Sequence, residues 1–289
     1  MRVAVTGSSG LIGTALSASL ERDGHDVLRV QRGTHWDPTT GRIDRAAFEG
    51  LDAVVHLGGV GIADSRWTAA QKGRVLTSRT AGTTLLARTL AGLDAPPAVL
   101  LSGSAIGYYG DHGDTIIDES STPGDDFPAR VCIEWEGSAA AAADAGIRVA
   151  YLRTGVVQAT EGGALAKQLP FFRLALGGRS GTGRQYLSWI TLVDEVRAIR
   201  FLLDHDVSGP VNLVAPEPVT NAEYTRALGA ALHRPTTILP MIGPRLLYGR
   251  ELADSLLLTS QRAVPAVLLE AGFDFEHPTL PEALESVLG

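Results

Sequence analysis

The stretch Thr6-Gly7-Ser8-Ser9-Gly10-Leu11-Ile12-Gly13 decides the fold of this chain of 289 residues. The short run Arg2–Val5 before it is typical of a β-strand, and the apolar residues within Leu11–Leu20 after it recur at helical spacing. A strand, a glycine-rich turn and a helix in this order form a phosphate site for a dinucleotide. The N-terminus of the chain therefore predicts a strand–turn–helix unit that holds a nucleotide cofactor.

Each glycine of this turn has its own expected role. Gly7 allows the tight turn, Gly10 lets the backbone approach a pyrophosphate, and Gly13 lets the helix pack closely on the strand. The free N–H groups and the partial positive charge of the helix N-terminus then face the anion. We expect the neighbouring residues of the turn to share this binding surface. The predicted phosphate-binding residues are Gly7, Ser9, Gly10, Leu11, Ile12 and Gly13.

Composition and charge exclude several classes of protein. The formal net charge of −7 gives no basic surface for nucleic acid or for an anionic membrane. The single cysteine, Cys132, cannot form a disulfide within the chain, which is typical of a reducing compartment. No apolar run approaches the ~20 residues of a membrane span, and no zinc-type spacing of cysteine and histidine occurs. Because the first strand begins at once, we expect no signal peptide, and with the single cysteine this indicates a cytoplasmic location. Since no zinc-type spacing occurs, we also expect no metal site.

Strand-like and helix-like segments alternate through the first half of the chain, which predicts a parallel sheet with helices on both faces. The fold class is therefore α/β, a Rossmann-type doubly wound parallel sheet with a smaller C-terminal substrate lobe. The predicted strands are Arg2–Thr6, His25–Val30, Ala53–Leu57, Ala98–Ser102, Arg148–Arg153 and Pro210–Ala215, and the main predicted helices are Leu11–Asp23, Ala69–Ala91 and Arg130–Ala145.

The second half of the chain breaks this regular alternation. We expect a dinucleotide-binding domain over residues 1–155, with its sheet completed by about 190–216, and a smaller lobe from residues 156–189 and 217–289. The tail beyond Pro240 is expected to be mostly helical. Its predicted packing residues are Leu246, Leu247, Leu256, Leu257 and Leu258.

The end of the second strand indicates which cofactor the site prefers. A carboxylate at this point binds the ribose hydroxyls of NAD and repels a 2′-phosphate, whereas an arginine favours the phosphate of NADP. This chain has Gln31 and Arg32 there and no carboxylate. Arg32 can offer several N–H donors to a phosphate, so we expect NADP(H) as the cofactor. The alternative is that Arg32 is an ordinary solvated surface residue.

Further cofactor contacts are expected from residues outside the first turn. Small residues at the end of the Ala53–Leu57 strand, in His56-Leu57-Gly58-Gly59, leave room on the adenine side of the cofactor. Arg79, on the next helix, could reach back to the cofactor or lie on a solvated helical face. The remaining predicted cofactor-binding residues are Leu57, Gly58, Gly59, Arg79, Ser102 and Val156.

By its motifs the chain resembles the extended short-chain dehydrogenase/reductase superfamily, the nucleotide-sugar epimerase-like proteins. The matching segments are Thr6–Gly13, Asp52–Leu57 and Ser102–Gly110. The resemblance is closer to one subgroup, the epimerase-like proteins with a characteristic C-terminal segment, sometimes labelled cell-division-inhibitor-like. It implies a Rossmann-type domain, a smaller substrate lobe and NADP(H) binding. The residues that carry it are Trp135-Glu136, Leu152–Val157, Leu169–Gly178, Gly183–Ile190, Asn212–Pro216, Thr220–Glu223 and Ala271–Phe273.

The catalytic residues that this superfamily uses for redox chemistry are incomplete here. Those enzymes place a Tyr and a Lys four residues apart on one helix, because the lysine charge lowers the pKa of the phenol. Ser104 falls where the family's serine is expected, but no Tyr-x-x-x-Lys occurs anywhere in the chain. The best alignment puts Cys132 at the tyrosine position and Glu136 at the lysine position, and a carboxylate there would raise the pKa of the thiol.

Tyr108 and Tyr109 follow the Ser104 loop and, with Ser104, complete the set of candidate catalytic residues. Three functions remain open. The first is an NADP(H)-dependent oxidoreductase or epimerase acting on a small or nucleotide-linked substrate. The second is a non-catalytic NADP(H)-binding sensor, with a possible link to cell division. The third is an interaction protein with a vestigial site, against which the intact phosphate turn argues. A monomer or a homodimer would fit each of them.

Overall fold

The computed structural model describes every residue of the chain, 1–289. Sixteen strands and twelve α-helices are present. In chain order the strands are β1 (Arg2–Thr6), β2 (Asp26–Val30), β3 (Trp36–Asp37), β4 (Arg42–Ile43), β5 (Ala53–His56), β6 (Val99–Ala105), β7 (Ile116–Ile117), β8 (Arg148–Thr154), β9 (Val156–Gln158), β10 (Gly178–Ser180), β11 (Tyr186–Leu187), β12 (Trp189–Thr191), β13 (Gly209–Leu213), β14 (Val219–Thr220), β15 (Thr237–Leu239) and β16 (Arg262–Ala263).

The helices connect these strands and form the C-terminal tail. They are α1 (Leu11–Arg22), α2 (Arg45–Phe48), α3 (Ala69–Ala91), α4 (Phe127–Gly137), α5 (Ala140–Asp144), α6 (Gly163–Arg173), α7 (Leu192–Asp204), α8 (Asn221–Ala231), α9 (Ile242–Tyr248), α10 (Arg250–Leu257), α11 (Ala266–Glu270) and α12 (Leu280–Leu288). A 3₁₀ turn covers Ile106–Tyr109. None of the helices combines the length and the apolar character that a membrane span requires.

The central sheet has six parallel strands in the order β13-β8-β6-β5-β1-β2, which confirms the predicted α/β class. Its central strands β1 and β5 are short, largely apolar and buried, as expected for strands covered on both faces. The chain runs from β1 outward to β2 and then crosses back to β5 on the other side of β1. This reversal opens a crevice at the carboxyl ends of β1 and β5, where ligands of such sheets bind.

Two apolar cores cover the two faces of the sheet. On one face Leu16 of α1 and Ile199 of α7 pack against residues such as Val5 and Leu101. On the other face Leu86 of α3 packs in the second core, with Val54 and Leu100 among its members. These layers fix the positions of the strand ends that carry the candidate site.

The smaller lobe has a core of its own. Leu165, Trp189, Tyr224 and Leu284 belong to it, so α6, α8 and α12 meet there. The tail does not pack wholly in this lobe, because Leu268, Phe273 and Phe275 belong to the core beneath the central sheet. The C-terminal segment therefore joins the two parts of the molecule.

The helix predicted over Arg130–Ala145 is in fact two helices, α4 and α5. The first begins earlier, at Phe127, where the Asp126 side chain accepts a hydrogen bond from Ala129 N (2.9 Å). The break follows Gly137, a poor helix former, and the hydroxyl of Ser138 donates to Glu134 O (2.6 Å). A high alanine content alone does not carry the helix through these two residues.

The prediction of packing leucines in the tail was wrong for three of them. Leu246, Leu247 and Leu256 are 69%, 62% and 47% exposed. Polar contacts hold the α9–α10 hairpin instead, since Arg66 donates to Leu247 O (2.9 Å) and Lys72 forms an ion pair with Glu251. The buried positions of α10 belong to Leu252 and Ala253.

Candidate functional site

The glycine turn between β1 and α1 has a geometry that only glycine permits. Gly7 has a φ of +66°, and a Cβ at this position would lie 2.8 Å from the carbonyl carbon of Leu57. A Cβ on Gly13 would lie 2.2 Å from Gly7 O, so α1 sits directly against the turn. These two glycines bring α1, β1 and the end of β5 together at the crevice.

The N-terminus of α1 is open to a ligand. Gly10 is the N-cap residue, no side chain caps the helix, and the first turn carries no acidic residue. A Cβ on Gly10 would meet only Gly7 O, at 3.3 Å, and Ser9 is exposed beside it. The free N–H groups and the helix dipole therefore face the crevice without a protein partner, as a bound pyrophosphate requires.

Gln31 and Arg32 lie exposed just beyond the end of β2. Arg32 forms no ion pair or side-chain hydrogen bond, whereas the nearby Asp37 carboxylate accepts from Thr39 N (3.0 Å) and Thr39 Oγ1 (2.6 Å). These bonds to Thr39, and to a lesser extent Arg32, lower the pKa of Asp37. Arg32 thus keeps its donors free, and its contact with a 2′-phosphate stays a prediction.

The loop after β5 is narrow and is bordered by Arg79. A Cβ on Gly59 would lie 3.3 Å from the Arg79 side chain, whose Nη1 donates to Val60 O (2.7 Å). The guanidinium also lies 4.9 Å from the Trp135 ring, and burial lowers the pKa of Arg79. Arg79 therefore faces the loop, and the alternative of a solvated helical face was wrong.

Beneath this loop lies a buried histidine. His56 Nδ1 lies 2.6 Å from Thr6 Oγ1, and the Trp36 ring meets the imidazole edge-on. Burial, aided by the Arg79 charge, lowers the pKa of His56 to about 4, so the ring is neutral at neutral pH. His56 supports the floor of the crevice and carries no charge to a ligand.

Ser102 is the middle residue of β6, and Val156 is the first residue of β9. Ser102 is fully buried beside its register partner His56, and its hydroxyl has no hydrogen-bond partner. Val156 is half-buried, and its N–H donates to Ser188 O (2.9 Å). Their proposed contacts with a cofactor stay predictions.

Ser104, Glu136 and Arg153 form one buried cluster. Ser104 and Arg153 are register partners on β6 and β8, and Glu136 projects from α4. Ser104 Oγ donates to Glu136 Oε1 (2.7 Å), while Arg153 donates from Nε to Oε1 (2.8 Å) and from Nη2 to Oε2 (2.9 Å). Burial alone would lower the pKa of Arg153, but the bonds to Glu136 and Tyr109 raise it. The cluster is therefore a charged pair that fixes the proton of Ser104.

The two tyrosines of the Ser104 loop differ in their surroundings. Tyr109 is fully buried, its hydroxyl donates to Asn212 Oδ1 (2.7 Å), and it accepts from Arg153 Nη1 (3.0 Å). Burial raises the pKa of Tyr109 to about 12. The Tyr109 hydroxyl therefore lies in the core, with Asn212 and Arg153 as its partners, and its candidate catalytic role stays a prediction. Tyr108 is half-buried, with its ring 3.5 Å from the Arg153 guanidinium.

Cys132 is inert in this setting. It is buried next to Ser104 and Ala105, and burial together with the Glu136 charge raises the pKa of its thiol to about 12. The cluster at the family's tyrosine and lysine positions thus offers neither an acidic phenol nor a lysine.

Sequence reasoning missed the partners that hold this cluster. Arg153 directly follows the largely apolar run Val149–Leu152 of β8, which was a usable signal, because an unpaired buried arginine is rare. Glu119 accepts from Asn212 N (2.9 Å), and Asn212 Nδ2 donates to Val264 O (3.0 Å). Burial raises the pKa of Glu119. Neither Glu119 nor Asn212 lies in a sequence pattern that predicts the hydrogen bond between them.

Comparison with known families matches two parts of the chain. Residues 3–214 match the NAD dependent epimerase/dehydratase family. Residues 239–287 match a domain of unknown function, DUF1731. The second match covers the α9–α10 hairpin and most of the tail.

Individual relatives resemble the chain along its whole length. Epimerase family protein Mb2239 of Mycobacterium bovis is 47% identical over 98% of this chain and 96% of its own. Human epimerase family protein SDR39U1 is 37% identical over 100% of both chains. A crystal structure of human SDR39U1 (isoform2) with NADPH is similar with a TM-score of 0.91 and 35% identity, over 99% of each chain. The chain belongs to the NAD dependent epimerase/dehydratase family.

Proposed function

We propose that this protein is an NADP(H)-binding oxidoreductase or epimerase whose proton chemistry does not use a Tyr–Lys pair. The observation that carries the proposal is the uncapped N-terminus of α1, which opens on the glycine turn. In support, the structurally similar human SDR39U1 crystallised with NADPH. Most of the predicted cofactor-binding residues, Gly7–Gly13, Gln31, Arg32 and Leu57–Gly59, follow the carboxyl ends of β1, β2 and β5, where ligands of such sheets bind.

The choice of NADP(H) over NAD(H) rests on Arg32. Its guanidinium is exposed and unpaired, and no carboxylate takes the position next to the ribose. A bound nicotinamide supplies hydride transfer to or from carbon. The chain itself contributes the phosphate cradle, the free donors of Arg32 and, at the other end of the crevice, the Ser104 hydroxyl.

Titration of protein fluorescence with NADPH and with NADH tests this proposal. Charge-assisted hydrogen bonds contribute about 1.5–3 kcal/mol, so Arg32→Ala should weaken NADPH binding roughly ten- to hundredfold. NADH binding should change little. Arg22→Ala, an exposed change at the end of α1, is the matched control. An equal loss for both nucleotides would refute the assignment of Arg32, and no binding of either would refute the proposal.

Burial raises the pKa values of Tyr109 and Cys132 to about 12, so neither group gives up a proton readily. This favours a second candidate, a sensor that binds NADP(H) without turnover. Nucleotide absorbance across a panel of carbonyl and hydroxyl compounds separates the two candidates. Turnover that is lost in Ser104→Ala supports the enzyme. Tight nucleotide binding without turnover on the whole panel supports the sensor. The small-molecule or nucleotide-linked substrate and the cytoplasmic location stay predictions.

A further inference from the structure

The smaller lobe contacts the helices of the central sheet on both sides of the crevice. On the α1 side, α6 begins beside the phosphate turn, where a Cβ on Gly162 would lie 3.5 Å from Leu11 Cδ1. This contact is firm, because Leu165 holds α6 in the core of the lobe. On the α3 side, the α9–α10 hairpin, residues 242–257, contacts Arg66 in the segment before α3. Since α1 and α3 cover opposite faces of the sheet, the crevice lies between these two contacts.

One end of the α9–α10 hairpin is fixed in the lobe. Gln185, in the loop before β11, donates from Nε2 to Leu257 O at the end of α10 (2.7 Å). Within the hairpin, Arg245 Nε of α9 donates to Asp254 Oδ1 of α10 (2.7 Å). Leu252, the buried leucine of α10, belongs to neither core of the central sheet. The hairpin is therefore one unit that is anchored on the lobe and reaches across to α3.

The other end of the hairpin is held by polar contacts from two side chains. Arg66 donates from Nε to Leu247 O (2.9 Å) and from Nη2 to Leu246 O. Lys72, in the first turn of α3, forms an ion pair with Glu251. No residue of α9 is buried, so apolar packing does not add to these contacts. Exposed hydrogen bonds and ion pairs each contribute little, so this end can open at a low cost in free energy.

The segment that carries Arg66 begins at the predicted cofactor contacts. Residues 57–59 follow β5 directly, and Arg66 lies seven residues further on, before α3. Trp67 Nε1 donates to Ile62 O (2.9 Å), which folds the end of this segment back on itself. The hairpin is therefore attached to the same connection between β5 and α3 that borders the crevice.

We propose that the α9–α10 hairpin is a lid on the crevice, and that Arg66 and Lys72 form the latch that holds it closed. A nicotinamide nucleotide bound at the ends of β1 and β5 would lie between the Leu11 contact and this latch, so it enters and leaves on the α3 side when the latch opens. The lid is the first part of the segment that matches the domain of unknown function, residues 239–287. The inference rests on the proposed function, because the nucleotide is the molecule that the lid admits.

Stopped-flow measurement of NADPH fluorescence tests the lid through its effect on rates. Arg66→Ala removes two hydrogen bonds of the latch, so the association and dissociation rate constants should both rise roughly fivefold. The Kd should stay within about twofold, because a lid that is latched with and without nucleotide changes the barrier more than the end states. Glu251→Ala, which opens the latch from the hairpin side, should act in the same direction. Arg88→Ala, an exposed change in the last turn of α3, is the matched control and should change neither rate constant.

Hydrogen exchange of the amides of residues 242–257 in the nucleotide-free protein tests the latch by itself. Exchange should be faster in Arg66→Ala and Glu251→Ala than in the unmodified protein, and unchanged in Arg88→Ala. Unchanged exchange in both latch variants would overturn the latch. NADPH binding with unaltered rate constants in both variants would refute the lid alone, as would a faster dissociation without a faster association. No NADPH binding to the unmodified protein would refute the proposed function and the lid together.

Discussion

Removing Glu136 from α4 should destabilise the fold strongly. Glu136→Ala deletes the acceptor of three hydrogen bonds, one from Ser104 and two from Arg153. It leaves Arg153, which is 3% exposed, without a counter-charge. Breaking a buried ion pair on one side costs about 3–5 kcal/mol, so the unfolding midpoint should fall by roughly 10 °C.

A double-mutant cycle measures this effect and separates the charge from the packing. Glu136→Ala, Arg153→Met and the double variant are compared by urea unfolding, followed through tryptophan fluorescence. The double variant should be more stable than Glu136→Ala, because no unpaired charge remains. Glu134→Ala should change the free energy of unfolding by less than about 0.5 kcal/mol. A loss below about 1 kcal/mol in Glu136→Ala, or strictly additive single effects, would refute the buried-pair argument.

Two further predictions concern the glycine turn and a buried acid. Gly13→Ala places a Cβ 2.2 Å from Gly7 O, so the turn must shift, and NADPH affinity should fall at least tenfold by fluorescence titration. Gly73→Ala meets nothing within 4 Å and should leave that affinity unchanged. Burial raises the pKa of Glu195 from 4.5 to about 8, so the folded state holds a proton that the unfolded chain releases. The free energy of unfolding should therefore fall as the pH rises from 4.5 to about 8. In thermal melts the unfolding midpoint of Glu195→Gln should depend less on pH than that of the unmodified protein; an unchanged pH dependence would count against this assignment.

The glycine turn could be predicted because its signal is local. Gly7, Gly10 and Gly13 are close in sequence, and the requirements on them arise from the strand and the helix that flank them. The alternation of strands and helices likewise predicted the parallel sheet, because short apolar runs between helices pack in few ways. The boundaries of α4 and α5 were harder to predict, because Gly137 and Ser138 end α4 although the alanine-rich sequence favours a continuous helix.

The Ser104–Glu136–Arg153 cluster could not be predicted because it depends on register. Ser104 and Arg153 face the same helix only because β6 and β8 are neighbours and these two residues are paired. A shift of one residue would place Arg153 on the opposite face of the sheet. The outward leucines of α9 and α10 escaped prediction for a related reason, because helical spacing shows that a helix is amphipathic without showing what covers each face.

The charge arrangement at α4 also explains why restoring the missing residues one at a time would not restore the family's chemistry. A lysine in place of Glu136 would stand beside Arg153, which already donates to both carboxylate oxygens. Two buried cations would then face each other, and the lysine would lose its proton rather than lower the pKa of a neighbour. A tyrosine in place of Cys132 would meet a carboxylate that raises its pKa, as Glu136 does for the thiol. The polarity of this site is therefore a property of the strand–helix pair β8–α4 as a unit, and a change of function would require Arg153 to change together with both helix positions.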